Sequence, residues 1–391
     1  MLIISYDALG DIEFETLMSF PAFSKLANKS AVFHDVPSLF VSNTYPVHAS
    51  VATGLKPSEH GIISNTESFP VTNPVWNSNE ALIKAKTLWQ AASEKNLKTA
   101  AVFWPVTAFS KTIRYNVPEV LARPGKSQLM TSLKAGNSLL QLKLFLLYRK
   151  HLDGVRQPNL DNFATACMTH ILREYIPDLA FIHLTAYDFL RHEHGRSNNG
   201  LSKQAIEAAF HALDKNLNAL LNAAGDDRDI ILFSDHSQIN VDMIIDPNEE
   251  LKTRGLLSVE NAGYLPGEHG CFFECCGGSA FFHKGTLDSG SVESLYSYIE
   301  NSTGFRRFLN ANELLESGYT HATFGFCAKA GYCYGKPKSK EKSNHGYPLD
   351  MPDYSVFYLL KGRGIESGMN KNGSLLDIAP FAAKRLGLNL F

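Results

Sequence analysis

The segment Ser42-Asn43-Thr44-Tyr45-Pro46-Val47-His48-Ala49-Ser50-Val51-Ala52-Thr53-Gly54 sets a hydroxyl on the first turn of a short helix. Thr44 stands where an N-cap belongs, Pro46 fits a first turn because its missing N–H would be unpaired there anyway, and Gly54 closes the helix. Unpaired N–H groups and the positive dipole end favour negative charge. Such a start can stabilise an ionised Thr44 or a phosphoryl group held against it. Simple capping is the competing explanation. Metal-type donors occur elsewhere. Asp188 and His192 are four residues apart, so one helical turn would aim both at a shared ion. Asp235 and His236 end an apolar run, Asp7 follows Leu2–Tyr6, and His345 sits in the turn-like Ser343-Asn344-His345-Gly346-Tyr347. Each of these signals is weak when taken singly.

The elements that would position these groups read as an α/β protein. Leu2 to Tyr6 has the profile of a buried parallel strand that delivers Asp7 at its carboxyl end. A helix is expected over 16–28, strands over 31–36 and 99–104, and a helix over 80–96 between them; 54–74, rich in Gly, Pro, Ser and Asn, reads as loop. A helix over 160–175, the strand 179–184 leading to Asp188, a helix over 202–224 and the strand 229–234 continue the rhythm. The strand 355–360 and a helix near 375–386 close the chain. Segments of roughly 105–158 and 246–340 break the pattern, the second with one clear strand at 280–283, and read as insertions able to form a lid or cap. The expectation is one catalytic domain over 1–391, with a mostly parallel sheet flanked by helices. Asp7, Asp188 and Asp235 would then meet outside the carboxyl ends of the strands, where open parallel sheets bind ligands.

Bulk properties narrow the partners. The 391 residues are 44% hydrophobic and 19% charged, with formal net charge -2. This provides ample core and no electrostatic footprint for duplex nucleic acid or anionic membrane. Six cysteines without a C-x-x-C pair read as reduced, mostly buried thiols, Cys275 and Cys276 as strand-edge packing. With no visible signal peptide, a cytoplasmic protein is expected. The apolar run 139–148 is too short to span a bilayer and contains Lys143, so it reads as an amphipathic helix packed on the body.

Taken in order, these motifs resemble the alkaline phosphatase superfamily, and most closely its nucleotide pyrophosphatase/phosphodiesterase branch. The resemblance covers almost the whole chain: Ile4-Ser5-Tyr6-Asp7, Asn43-Thr44-Tyr45-Pro46-Val47-His48, and Thr53-Gly54-Leu55-Lys56-Pro57-Ser58-Glu59-His60-Gly61-Ile62. It continues through Asn65, Phe103-Trp104-Pro105, Asp188-x-x-x-His192, Ser234-Asp235-His236, His345-Gly346-Tyr347 and Leu376-Asp377-Ile378-Ala379-Pro380. It implies two divalent ions, usually zinc with manganese as the alternative. One is held by Asp188, His192 and His345, the other by Asp7, Asp235, His236 and the oxygen of Thr44. Three carboxylates and three imidazoles suit zinc chemically. The implied reaction is attack by Thr44 on phosphorus, a phospho-threonine intermediate and its hydrolysis, with the Asn65 amide and the N–H groups of the Thr44 helix on the equatorial oxygens.

The chain also departs from the pattern. Arg191 stands where the family often has glycine, and is either a solvated or salt-bridged side chain or a contact to the substrate's non-reacting phosphate or leaving group. Pro348-Leu349-Asp350 replaces a usual Asp-Asn continuation, which removes the expected support for His345. His48, His60, His194 and His269 read as histidines that orient loops. The leading expectation is a hydrolase of small phosphodiesters or nucleotide pyrophosphates. A phosphonoacetate-type hydrolase or phosphomonoesterase of the same superfamily is the alternative, followed by a catalytically silent binding protein. Oligomeric state is not legible.

Overall fold

The computed structural model describes residues 1–67, 75–196, 200–260, 263–337 and 341–390. The end of the expected 54–74 loop and short stretches of the second expected insertion lie outside the described residues. The main sheet uses β1 (Leu2–Tyr6), β2 (Ala31–Val36), β3 (Thr99–Val102), β4 (Tyr115–Val117), β5 (Leu179–Leu184) and β6 (Ile230–Ser234), with Val356–Lys361 and Gly368–Asn370. Its eight strands run in the order Gly368–Asn370, β2, Val356–Lys361, β6, β1, β5, β3, β4. β1 pairs in parallel with β5 and β6, and only Val356–Lys361 runs antiparallel to its neighbours. The expected α/β fold with a mostly parallel sheet is therefore observed.

Both faces of the sheet are covered, which explains why its strands read as continuous apolar runs. Leu2, Ile4 and Tyr6 of β1 point to one core with Phe14, Phe23, Met168 and Leu213. Ile3 alternates to the other face, where Val47 and Val51 of the Thr44 helix pack with Trp89 and Ile378. In register, Tyr6 lies opposite both Leu184 and Ser234. The residues that follow these strands therefore leave the sheet at one edge.

Local chemistry shifts several expected boundaries. The helix expected over 16–28 is two, Phe14–Met18 and Pro21–Ala27, because Pro21 starts a new helix at N1. Between β2 and β3 the expected 80–96 helix is a 3-10 turn, Glu80–Leu82, and a helix Leu88–Glu94 capped by Thr87. The stretch expected to be largely irregular after 246 includes an antiparallel sheet of Phe272–Cys275, Ser279–His283, Phe324–Ala328 and Phe305–Phe308, with its own apolar core. A smaller sheet joins Gly331–Tyr334, Ile239–Ile245 and Ser343–Asn344.

The helix Ser138–Tyr148 buries Leu140 and Leu144 but turns Leu139, Leu146 and Leu147 outward, so its outer face is apolar too. Among the described residues no helix is long and apolar enough to cross a membrane.

His345 is delivered by that smaller sheet. Asn344 pairs with Ile239, just beyond β6, and Gly346 follows with φ +80°, where a Cβ would lie 1.8 Å from the Cys276 carbonyl. Only glycine fits there. Gly346→Ala is expected to destabilise the fold by at least ~2 kcal/mol, from left-handed strain and this clash, and to lower metal content by displacing His345. Denaturant melts and elemental analysis check both.

Candidate active site

Asn43, not Thr44, is the N-cap of the helix Thr44–Thr53, and its side chain makes no capping bond. Thr44 is the first helical residue, so its hydroxyl is not spent on capping. The left-handed Gly54 ends the helix as expected. Thr44 Oγ1 lies 3.3 Å from His236 Nε2, and the same nitrogen is 3.4 Å from Asp7 Oδ1 and 3.5 Å from Asp235 Oδ2. Zinc–ligand bonds of roughly 2.0–2.2 Å place tetrahedral ligand atoms about 3.3–3.5 Å apart, so the oxygens of Thr44, Asp7 and Asp235 each stand at ligand-like spacing from His236 Nε2, although the compact donor groups join Asp7 and His236 with Asp188, and Asp235 with His48 and His183.

Their hydrogen bonding fits the same reading. Asp235 Oδ1 accepts from the N–H groups of Ala8 and His236, while Asp235 Oδ2 and Asp7 Oδ1 are buried without a hydrogen-bond partner. A buried, unsatisfied carboxylate oxygen is costly unless a cation meets it. His236 Nδ1–H donates to the Ser237 carbonyl at 3.3 Å, which leaves Nε2 with the lone pair a metal needs.

Asp188 and His192 lie on the helix Ala186–His194, with Asp188 Oδ1 and His192 Nε2 3.4 Å apart. Together with His345 they form a second donor group, and Asp188 also groups with Asp7 and His236. The two groups adjoin through Asp188. The His345 ring stacks on His236 at 4.2 Å, and its Nδ1–H donates to Asn43 Oδ1 at 2.6 Å. Support for His345 thus comes from the Thr44 helix, while Asp350 pairs with Arg306.

Asn65 accepts the Tyr45 N–H through Oδ1 at 2.8 Å, which makes its Nδ2 the donor end of the amide. Tyr45 N–H is thereby taken and Pro46 has none, so the expected set of helix N–H donors narrows to that of Thr44. Asp7, Thr44, Asn65, Asp188, His192 and His345 line one cavity of about 1500 Å³.

Other expectations resolve differently. Arg191 does not line this cavity. Buried, it bonds Glu13 at 3.3 Å, the Tyr187 hydroxyl at 3.1 Å and the Gln238 carbonyl at 3.2 Å, and so ties its helix to the chain after β1 rather than to substrate. His48 donates to the Thr44 carbonyl at 2.7 Å and bonds Ser5 Oγ at 2.8 Å, and His60 bonds Ser50 Oγ at 2.8 Å; both hold the motif in place.

The sequence reading missed three residues. Asn43 orients His345. Gln238 donates to Asp188 Oδ1. His183 on β5 reaches Asp7 Oδ2 at 3.2 Å and Glu119 at 3.7 Å. A polar residue inside the apolar run Leu179-Ala180-Phe181-Ile182-His183-Leu184 was the available signal for the third, since a buried strand bears such a group only when it has a partner.

The electrostatics follow from crowding. Burial and the charges of Asp188 and Asp235 raise Asp7 well above the carboxylate range, and burial pushes Asp235 up to about 7. Burial lowers His236 to about 4 and His345 well below its usual value. At His192 burial opposes the charge, but Asp188 outweighs it and raises the ring to about 10. At His183 burial is likewise outweighed, by Asp7 and Glu119.

An open sheet with carboxylates and imidazoles at its carboxyl edge around a helix-borne threonine defines an alkaline-phosphatase-like fold whose donor clusters are compatible with divalent cations. Residues 1–291 match the family described as type I phosphodiesterase / nucleotide pyrophosphatase, and the chain belongs to that family. It is 31% identical over 91 residues to "Ectonucleotide pyrophosphatase/phosphodiesterase family member 1" of Mus musculus, covering 22% of this chain and 10% of that protein. It is 27% identical over 118 residues to "Bis(5'-adenosyl)-triphosphatase ENPP4" of Homo sapiens, covering 27% and 25%. These alignments thus take in a quarter or less of either relative. The solved murine ectonucleotide pyrophosphatase / phosphodiesterase 5 has the same fold, with TM-score 0.70 at 17% identity over 100% of this chain and 96% of that one.

Two outcomes are expected. Asn43→Ala frees the His345 ring and weakens metal binding by roughly 10–100-fold in chelator competition, with little change in melting temperature. Between about pH 7 and pH 9 the metal-free protein becomes less stable. His192 keeps its proton to about 10 and Asp7 holds one well above its unfolded pKa, so the folded state binds more protons than the unfolded chain and loses stability as these leave. Metal-loaded protein melts later and with a smaller pH slope in calorimetry, because bound cations replace those protons.

Proposed function

We propose that this chain hydrolyses phosphodiester or pyrophosphate bonds in small molecules, with Thr44 as the nucleophile. The observation that carries this reading is Thr44 Oγ1 at 3.3 Å from His236 Nε2, among the unpaired oxygens of Asp7 and Asp235. Two divalent ions, with zinc best matched to the donors and manganese the alternative, would be held by Asp7, Asp235, His236 and Thr44 and by Asp188, His192 and His345, and would supply positive charge at the attacking and leaving oxygens.

Thr44 attacks phosphorus, the bond to the departing oxygen breaks, and a phospho-threonine forms; water then hydrolyses it and restores the hydroxyl. Asn65 Nδ2 and the Thr44 N–H would donate to the equatorial oxygens. His48 fixes the first turn of the helix through the Thr44 carbonyl, which limits the reorganisation needed during attack.

The cavity is far larger than a monoester requires, which supports a diester. One relative is named a bis(5'-adenosyl)-triphosphatase, and the murine phosphodiesterase 5 has been solved as an inactive form in complex with AMP; nucleotide diesters are therefore the first class to assay. Cys167, Cys271, Cys276 and Cys327 are buried free thiols, which supports a reducing compartment such as the cytoplasm.

Metal-loaded protein is expected to cleave bis(nitrophenyl) phosphate and nitrophenyl nucleotides in preference to nitrophenyl phosphate. Thr44→Ala should lower kcat by roughly 10³-fold or more, and an acid quench should trap phosphate on Thr44, read by mass spectrometry. Turnover equal to wild type in Thr44→Ala would remove the proposed nucleophile.

A further inference from the structure

The helix Ser138–Tyr148 has leucine or phenylalanine on every side, yet it is buried on only one. Leu140 and Leu144 pack with Val117 of β4 and Phe163 in the main core. Leu144 and Phe145, with Leu129 and Leu133 of the preceding helix Gln128–Ala135, line the Thr44 cavity. Among the described residues the outer side has no such cover. Leu139 is 83% exposed, Leu146 59% and Met130 51%, and Leu142 and Leu147 are exposed as well. Leu139, Leu142 and Leu146 share one stripe of the helix, with Lys143 and Leu147 on the next. A helix that is hydrophobic all round belongs in a core or against a partner, and exposed apolar side chains grouped in this way mark a contact surface.

Charge identifies the partner. From Val120 to Leu152 the chain has six Lys or Arg and no Asp or Glu, which its overall net charge of -2 conceals. Arg123, Lys126, Lys134, Lys143, Arg149 and Lys150 are all exposed. Among the described residues only Arg123 has a carboxylate within ion-pair distance, Glu67 at 3.8 Å, while Lys143 meets the Tyr175 hydroxyl at 3.2 Å. Arg149 and Lys150 directly follow the last turn of the apolar helix. The surface therefore matches negative charge and hydrocarbon together. A symmetric second copy would bring like cations face to face, nucleic acid offers phosphate but little for leucine to bury against, and protein interfaces are poor in lysine. An anionic bilayer supplies both partners, because leucines can enter the acyl boundary while Lys and Arg reach the headgroup phosphates.

We propose that the outer face of these two helices docks on an anionic phospholipid surface, with Leu139, Leu142 and Leu146 inserted and the basic residues at the headgroups. A helix of 11 residues is far too short to cross a bilayer, so the contact is peripheral. The docking side is turned away from the side that lines the cavity, and its assignment is independent of the chemistry at Thr44.

The test is flotation of the full chain with vesicles of phosphatidylcholine alone and of an equal mixture with phosphatidylglycerol. Binding to the mixed vesicles is expected to be about tenfold or more tighter. Raising ionic strength from about 0.1 M to about 1 M, which shortens the Debye length roughly threefold, should weaken it. Leu139→Asn with Leu146→Asn should lower affinity about tenfold or more, and Lys134→Gln with Lys150→Gln about fivefold for each cation removed. All four side chains are exposed, so melting temperatures are expected to match wild type. Leu146→Trp, read above the wild-type background, should give emission that shifts to the blue on the mixed vesicles. Failure to float with the mixed vesicles, equal binding to both compositions, or affinity unchanged in the leucine pair overturns the proposal. So does a dimer in light scattering that the leucine pair dissolves, since a second copy then covers this face.

Discussion

Repulsion among three carboxylates brought together at one sheet edge is the constraint on which the rest of the structure depends. Asp7 and Asp235 are buried and Asp188 is half-buried, and burial with mutual repulsion holds the first two far above the ordinary carboxylate range. A fold gains nothing from such an arrangement unless positive charge is supplied. The imidazoles provide part of it: His192 beside Asp188 and His183 behind Asp7 are both held in favour of the charged form. His236 and His345 are pushed towards neutrality instead, the state in which a ring nitrogen ligates a metal. The centre thus has the charge pattern of a site completed by cations.

The surroundings supply stiffness. Register across β5, β1 and β6 aligns the ends of three parallel strands. A side-chain network ties down the rest. Arg191 bridges Glu13, Tyr187 and Gln238; Gln238 donates to Asp188; and Ser343 Oγ donates to the Arg191 carbonyl at 2.6 Å. A residue that stands where a glycine is usual in the family therefore acts as a buried anchor between the Asp188 helix and the strand that precedes His345. Breaking such a pair strands a charge in a low-dielectric region, which makes the network rigid as well as costly to disturb.

The division of labour within the chain is physical. Segments of the parallel sheet hold the polar centre, and the helices between β4 and β5 build an apolar wall beside it. Strands buried on both faces cannot accommodate much variation, whereas a layer attached at one edge can change its lining without moving the carboxylates. Such a layer can set the choice of substrate, while the sheet edge sets the type of reaction.

Strand cores, the helix stop at Gly54 and the ordered motifs from Asp7 to His345 were legible because they depend on local periodicity and on residue types that few other chemistries require. Thr44 reads from the sequence as the cap, one position from where it sits in the helix, since cap and first helical residue differ only in backbone angle. The roles of Asn43, Gln238 and Arg191 were not legible, because each acts through a partner dozens to hundreds of residues away. The sequence by itself determined the fold class and family and singled out the acidic and imidazole side chains that gather near Thr44, all of which follow from patterns within a few residues or from their order along the chain. Only the tertiary structure decided which nitrogen of each histidine faces the centre, what orients His345, and that Arg191 faces away from the cavity, because those outcomes depend on contacts between segments that the linear spacing does not encode.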